Sequence, residues 1–341
     1  MPVVALCFGV LVSIAKGQNS DTVSIDGNKS ISIRVDGYPL IITTTSRLAG
    51  AVHSIRWRDK EFIDSADHGR QLQSACSFDA MSDEPFSAER YNPTEAGSRH
   101  DGAGNRSTSR LLGIEATEKV LRTSTQMAFW LRPGERSEGR LALNATSLSD
   151  HLLHKRIELG AHGDPHIIRV DNTFEWPQNQ SHRYGQFEVL TGYMPSEFSD
   201  FWRVSSQDGN LVRLDDGPGE QADPVIFSTP QGDFAMGAIA IGHPEWIEAK
   251  PGYGRFRFRA EDVVKWNVVF RHRQLPRLSE PRASFRVLVA IGDRALVHRL
   301  LVQELQAGGS RKSGKSAPTD CAMFNGSPLF NGCPQPFSDK R

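Results

Sequence analysis

From Ser30 onward the chain alternates apolar and polar positions in short runs: Ile31-Ser32-Ile33-Arg34-Val35, Leu40 to Thr45, and Ala51-Val52-His53-Ser54-Ile55-Arg56-Trp57. A period of two in β-branched residues predicts strands that bury one face. Similar runs recur at Gln126 to Leu131, Ile167 to Phe174, Phe234 to Ile241, Arg255 to Arg259, Trp266 to Arg271 and Phe285 to Ile291, many separated by Asp-Gly, Pro-Gly or Gly-Asp turns. Helical spacing occurs once, at Arg294 to Leu305, where Leu296, Val297, Leu300, Leu301 and Leu305 share a face. Many strands without alternating helices predict an all-β chain: a large antiparallel β-sandwich of the supersandwich kind with one C-terminal helix.

With 38% apolar residues in 341, the chain can bury a large core. Forty basic and forty acidic residues balance, so no whole-molecule field draws nucleic acid or an anionic membrane, and neither is expected as a partner. The apolar run Val3 to Ala15, followed by Ala15-Lys16-Gly17-Gln18, reads as a signal peptide over residues 1–17. It predicts a secreted, or in a bacterium periplasmic, protein with a sandwich domain over 18–305 and a flexible or disulfide-tied tail over 306–341. In that tail Cys321 and Cys333 are expected to pair, which leaves Cys76 as a buried free thiol. Asn28, Asn105, Asn144, Asn179 and Asn325 each begin an Asn-x-Ser/Thr triplet, which predicts surface loops open to glycosylation.

The stretch Leu48-Ala49-Gly50-Ala51-Val52-His53-Ser54-Ile55-Arg56-Trp57-Arg58-Asp59-Lys60-Glu61-Phe62-Ile63, with Gly69-Arg70 after it, resembles the opening hairpin of galactose-mutarotase-like (aldose 1-epimerase-like) supersandwich proteins over residues 48–71. The resemblance implies a supersandwich and a carbohydrate as ligand. The epimerases' acid and base motifs find no match along this chain. Cleavage of an oligo- or polysaccharide, by a lyase or a glycoside hydrolase, is therefore expected ahead of epimerisation.

Three polar clusters are candidates for the chemistry. Asp67-His68-Gly69-Arg70-Gln71 sets a titratable ring beside a carboxylate clamp, or is a polar loop. Tyr91 to Gly102 carries Glu95, Arg99 and His100 among sugar-bonding side chains, or is a loop tip. His182 to Tyr193, taken as a strand, puts Tyr184, Gln186 and Glu188 on one face and Arg183, Phe187 and Val189 on the other. That polar face suits a sugar or is simply solvated. The expected site joins all three, with His68, Glu95, His100, Tyr184 and Glu188 as acid, base or nucleophile candidates, and Arg70, Gln71, Arg99, Gln186, Tyr193, Trp202 and Trp246 binding substrate. His162-Gly163-Asp164-Pro165-His166 offers three ligand types at spacing two, but Gly163 and Pro165 favour a turn, so no metal or other cofactor is expected. His-Glu-x-x-His, Gly-x-Ser-x-Gly, phosphate-loop and dinucleotide signatures do not occur. The competing class is a non-catalytic glycan-binding or surface-structural protein, with aromatic platforms but no converging titratable groups.

Overall fold

A computed structural model describes residues 25–247, 249–273 and 281–311, with side chains described to 308. The leader, Cys321, Cys333, Asn325 and the tail beyond 311 lie outside the described residues. In chain order the strands are β1 (Ser30–Val35), β2 (Tyr38–Thr44), β3 (Val52–Trp57), β4 (Lys60–Glu61), β5 (Leu72–Phe78), β6 (Pro93–Thr94), β7 (Arg110–Ala116), β8 (Val120–Phe129), β9 (Arg136–Ser137), β10 (Arg140–Leu141) and β11 (Leu148–Leu159). They continue as β12 (Ile167–Glu175), β13 (Tyr184–Pro195), β14 (Asp200–Val204), β15 (Leu211–Arg213), β16 (Gly219–Gln221), β17 (Val225–Ser228), β18 (Ala235–Gly242), β19 (Gly252–Phe258), β20 (Val263–Arg273) and β21 (Arg282–Gly292), and α1 (Arg294–Arg311) follows.

Pairing is antiparallel throughout and resolves into two layers. The first runs β1-β2-β3-β5-β13-β20-β19-β16. The second runs β7-β8-β11-β12-β21-β18-β17-β14-β15. The two-residue β6 pairs with both β5 and β8 and joins them. The expected antiparallel all-β sandwich with a closing helix is the fold observed.

The layers meet through large rings. Phe187 of β13 and Phe270 of β20 lie 5.2 Å and 5.1 Å from Phe285 of β21, and Phe187 lies 5.5 Å from Phe174 of β12. Each fully buried ring contributes roughly 1.5–3 kcal/mol, so this seam outweighs any surface contact. Behind the second layer α1 lays Val297, Leu300 and Leu301 on Ile226, Ile239, Leu288 and Ala290. Gly237 permits that approach, since a Cβ there would come within 2.8 Å of Val297.

The Gly50-led hairpin is present. Arg58 and Asp59, both at positive φ, turn β3 into β4 with Trp57 opposite Lys60. Several strands escape the alternation reading, β11 and β5 the most instructive among them. β11 alternates cleanly in burial, but two of its inward positions are His151 and Lys155, which hide the apolar period. β5 is buried along its whole length and shows no period at all.

Candidate functional site

Among the described residues the one α-helix, α1, packs mainly on β14, β17, β18 and β21, away from the outer face of the first layer. Strand register arranges this face in rows. Ser77, Gln186 and Arg271 stand abreast on β5, β13 and β20. The next row is Ala75, Glu188, Val269 and, on β19, Gly252; the next is Gln73, Thr191, Asn267 and Gly254. Beyond these come Tyr193, Lys265 and Phe256, then Pro195, Val263 and Phe258.

One irregularity makes the face. Plain alternation along β13 would put Tyr193, five residues on, on the opposite side from Glu188. The register shifts between Glu188 and Leu190, so Glu188 faces Val269 and Leu190 faces Val268. This β-bulge at Val189 restores Thr191 and Tyr193 to the side of Glu188. The bulged carbonyl turns inward and accepts Asn172 Nδ2 at 2.6 Å and Ser74 Oγ at 2.7 Å. A buried carbonyl without such donors would cost about 1–3 kcal/mol, so the interior polar groups hold the bulge in place.

Glu188 Oε2 collects Thr191 Oγ1 at 3.0 Å, Lys265 Nζ at 3.3 Å and Asn267 Nδ2 at 3.3 Å. Burial alone would raise its pKa; the Lys265 charge and the donors from Asn267 and Thr191 outweigh it and hold the carboxyl below its usual range. Lys265 is pressed the other way by burial, but Glu188 and the Tyr193 hydroxyl raise it, so it stays an ammonium. Tyr193 is raised, chiefly by burial, with Lys265 opposing, and keeps its phenolic proton at neutral pH. Its ring stacks at 6.5 Å on Phe258, which lies 6.1 Å from Phe256, while Lys265 Nζ stands 5.3 Å above Tyr193 and 5.2 Å above Phe256. The result is an ionised carboxylate, an ammonium and a neutral phenol in contact at one end of an aromatic ladder.

Four of the expected residues share this face, all on β13: Tyr184 and Gln186 towards one end, Glu188 and Tyr193 towards the other. Tyr184 packs on Phe86 at 4.4 Å, and burial raises its hydroxyl. Gln186 Oε1 accepts Arg271 Nε at 2.9 Å. Phe187 and Val189 face the core as expected, whereas Arg183 lies before the strand and pairs with Asp79 at 3.1 Å.

The other two clusters do not join them as chemistry. His68 is buried with Nδ1 2.7 Å from the Gly102 carbonyl and Nε2 2.8 Å from that of Arg47, so both ring nitrogens are used in tying loops together. Gln71 is buried and donates to the His68 carbonyl and to Gln73 Oε1. Arg70 lies nearer the site, because the backbone of Asp64 and Gln71 bonds that of Tyr193; its guanidinium, however, is engaged by Asp67 at 3.0 Å and the Glu261 carbonyl at 3.2 Å. Glu95 is inside the sandwich, where Oε2 accepts Lys155 Nζ at 2.5 Å and the Ser74 amide at 2.9 Å. Arg99 and His100 are on an exposed turn and share Glu135, His100 at 2.7 Å. His68, Arg70, Gln71, Arg99 and His100 hold loops together, and Glu95 ties β5 to β11 across the interior.

The two tryptophans are half-buried and packed against the protein's own side chains. Trp202 packs below Arg294 of α1 at 4.8 Å, and Trp246 closes the core beside His272 at 5.0 Å and Phe187 at 6.5 Å. The stacking rings are Tyr193, Phe256 and Phe258, of which sequence reasoning singled out one. His162 pairs with Glu304 at 2.8 Å and His166 bonds the Ile291 carbonyl at 2.7 Å, so the His-x-Asp-x-His run is divided between two partners; among the described residues no three metal-ligand side chains cluster. Asn28, Asn105 and Asn179 are exposed, but Asn144 is buried with Nδ2 bonded to the Leu131 and Thr146 carbonyls, which removes it as a glycan acceptor. Cys76 is a buried free thiol whose pKa burial pushes well up, an inert group as expected.

Lys265, Asn267, Thr191 and Arg271 were not anticipated. The Trp266 to Arg271 run was legible as a strand, and its alternate positions 267, 269 and 271, extended back to Lys265, supplied the signal.

No family model matches the sequence, and no curated protein does. Solved structures do match by fold. The Slr1438 protein of Synechocystis is similar over 83% of this chain and 100% of its own, at 10% identity and a TM-score of 0.40. A candidate aldose 1-epimerase from Klebsiella pneumoniae aligns over 82% of this chain and 91% of its own, at 9% identity and 0.41. An α-galactosidase from Lactobacillus brevis aligns over 78% of this chain and 40% of its own, at 7% and 0.42. Likeness at this level concerns architecture and leaves reaction and ligand open.

Proposed function

We propose that the protein is a secreted carbohydrate-active enzyme that cleaves an oligo- or polysaccharide on the outer face of β5, β13, β20 and β19. The observation that carries this reading is the contact of Glu188, Lys265 and Tyr193 beside the Tyr193–Phe258–Phe256 ladder. Sugars are recognised by a ring stacked on their C–H face and by amides and charged groups on their hydroxyls. The ladder supplies the first; Glu188 and Lys265 supply the second, with Gln186 and Asn267 buried behind them and bonded to Arg271 and the Gly254 amide.

The chemistry follows from two titratable groups driven apart by their surroundings. Glu188 is ionised, and the donors described here all use Oε2, so Oε1 keeps its lone pairs for a substrate proton or an electron-poor carbon. Tyr193 keeps its proton and can deliver it to a leaving oxygen. Lys265 touches both and stabilises negative charge that develops between them. Secretion rests on the 1–17 leader pattern alone.

The test is a panel of neutral and acidic oligosaccharides offered to the protein and to Glu188→Gln and Tyr193→Phe, following reducing ends, new C=C absorbance and binding heat together. Product formation that falls at least about a hundredfold in both variants, with melting temperature held, supports the assignment. Product formation unchanged in both would overturn it, and binding without product would make the protein a glycan-binding module.

A further inference from the structure

The far end of the same face, one pleat beyond Val269 and so about 7 Å along β20, has a different character. Arg271 is fixed there by its Nε bond to Gln186 Oε1, which points the remaining fork away from β13. That fork is filled: Nη1 donates to Glu220 Oε1 at 2.6 Å and Nη2 to Glu220 Oε2 at 2.8 Å. Two parallel bonds to two coplanar oxygens are the geometry by which arginine recognises a carboxylate.

The carboxylate in place is loosely owned. Glu220 stands on β16, a three-residue strand that pairs with β19. Its side chain lies across Gly252, where any Cβ would come within 2.1 Å of Oε1, so the backbone of β19 is bare to let it reach Arg271. Both partners are more than one third exposed, Arg271 at 39% and Glu220 at 36%, and a pair of that kind contributes about 0–1 kcal/mol. Arg273 lies directly opposite Tyr184, one pleat further, and its charge is felt at that hydroxyl along with that of Arg271. Among the described residues two cations stand against one anion at this end, while Glu188 and Lys265 cancel at the other.

We propose that Arg271 is a carboxylate-recognition residue, that Glu220 occupies its fork in the free protein as a stand-in, and that the glycan bound on this face carries a uronic acid whose carboxylate displaces Glu220. The proposal rests on the sugar-binding reading of the face and names its substrate class. A tetrahedral ester can also present two oxygens to the fork, but the group seated there is a carboxylate, which favours a uronate. Tyr184 stands beside the fork as the ring for that sugar.

The experiment is titration calorimetry of the full chain with galacturonate, glucuronate, mannuronate and guluronate oligomers, their methyl esters, and neutral and sulfated oligomers of similar length. Arg271→Met and Arg271→Lys should weaken the uronate that binds by at least about tenfold and leave neutral oligomers unaffected, since a charge-assisted fork is lost. Methyl esterification should do the same to the native protein. Glu220→Gln should tighten uronate binding by about three- to fivefold, the worth of an exposed pair. Binding confined to neutral or sulfated oligomers, or uronate binding indifferent to Arg271→Met, overturns the proposal and leaves the carbohydrate reading standing. Silence with every oligomer overturns both. Melting curves on each variant separate lost recognition from lost folding.

Discussion

Two glutamate–lysine pairs lie on opposite faces of the first layer, with opposite consequences. Glu95 and Lys155 are 1% and 2% exposed, shut between the layers, and Glu95 Oε2 also holds the Ser74 amide. Glu188 and Lys265 are 23% and 14% exposed on the outer face, with Tyr193 as a third member. In the inner pair burial is the larger influence on the lysine and lowers it in spite of Glu95; in the outer pair two partners overcome burial and raise it. The inner pair spends its charge on architecture, since Ser74 in turn supports the bulged Val189 carbonyl. The outer pair is set on the face that this bulge creates. A carboxylate earns a chemical role only where a ligand can reach it.

The comparison is broken first at its strongest point. Lys155→Met leaves Glu95 buried without its cation, and about 3–5 kcal/mol of stability should go in a urea titration; a loss under about 1 kcal/mol would make the inner pair as dispensable as a surface one. Next is burial with no partner at all. His151 and His182 pack around Phe78 at 5.4 Å and 4.5 Å, and neither ring nitrogen of either has a partner among the described residues. Burial, with some help from His182, lowers His151 to about 3, and burial against the pull of Asp79 lowers His182 to about 4. The folded values lie below the unfolded one, so the unfolded chain binds more protons as pH falls. Stability should be whole above about pH 6.5 and drain as pH drops towards 4, by on the order of a few kcal/mol. Urea midpoints against pH would show it, and His151→Leu should flatten the slope; an unchanged slope would remove the histidines as its source.

Smaller again is Asn172→Ala, which removes one of two donors from the Val189 carbonyl and should cost about 1–3 kcal/mol by the same titration. If the bulge depends on it, ligand binding by the outer face falls as well; intact binding would show that Ser74 alone holds the register. The smallest stability effect belongs to Lys265→Met, whose pair is partly open and should contribute no more than about 1 kcal/mol, discounted for solvent. Its larger effect should be on substrate turnover, so a variant that is stable and inactive sharpens the contrast with Lys155→Met, whereas a strongly destabilised one would erase it.

The parts of this picture legible in the chain are those set by neighbours along it. β1, β2, β3 and β21 show their alternation because their buried positions are apolar, and Leu296 to Leu305 shows its helix because one stripe is. β11 does not, since folding puts His151 and Lys155 at inward positions and no local rule marks a lysine as buried. Tyr184, Gln186 and Glu188 were legible as one face for the same reason. Their company was not: Lys265 is 77 residues from Glu188 and Arg271 is 85 from Gln186.

By itself, then, the order of apolar and polar residues determined strands, turns, a closing helix and one polar strip, because side-chain direction along a strand depends only on a period of two. Tertiary structure decided which polar residues are mortar and which face outward. His68, Glu95 and His100 look as reactive in sequence as Glu188, and only packing shows that the first two are enclosed and the third is turned to Glu135. The bulge at Val189 belongs to neither level alone. It breaks the period that the sequence announces, and it survives because Asn172 and Ser74, brought from other strands, pair with the carbonyl it turns inward.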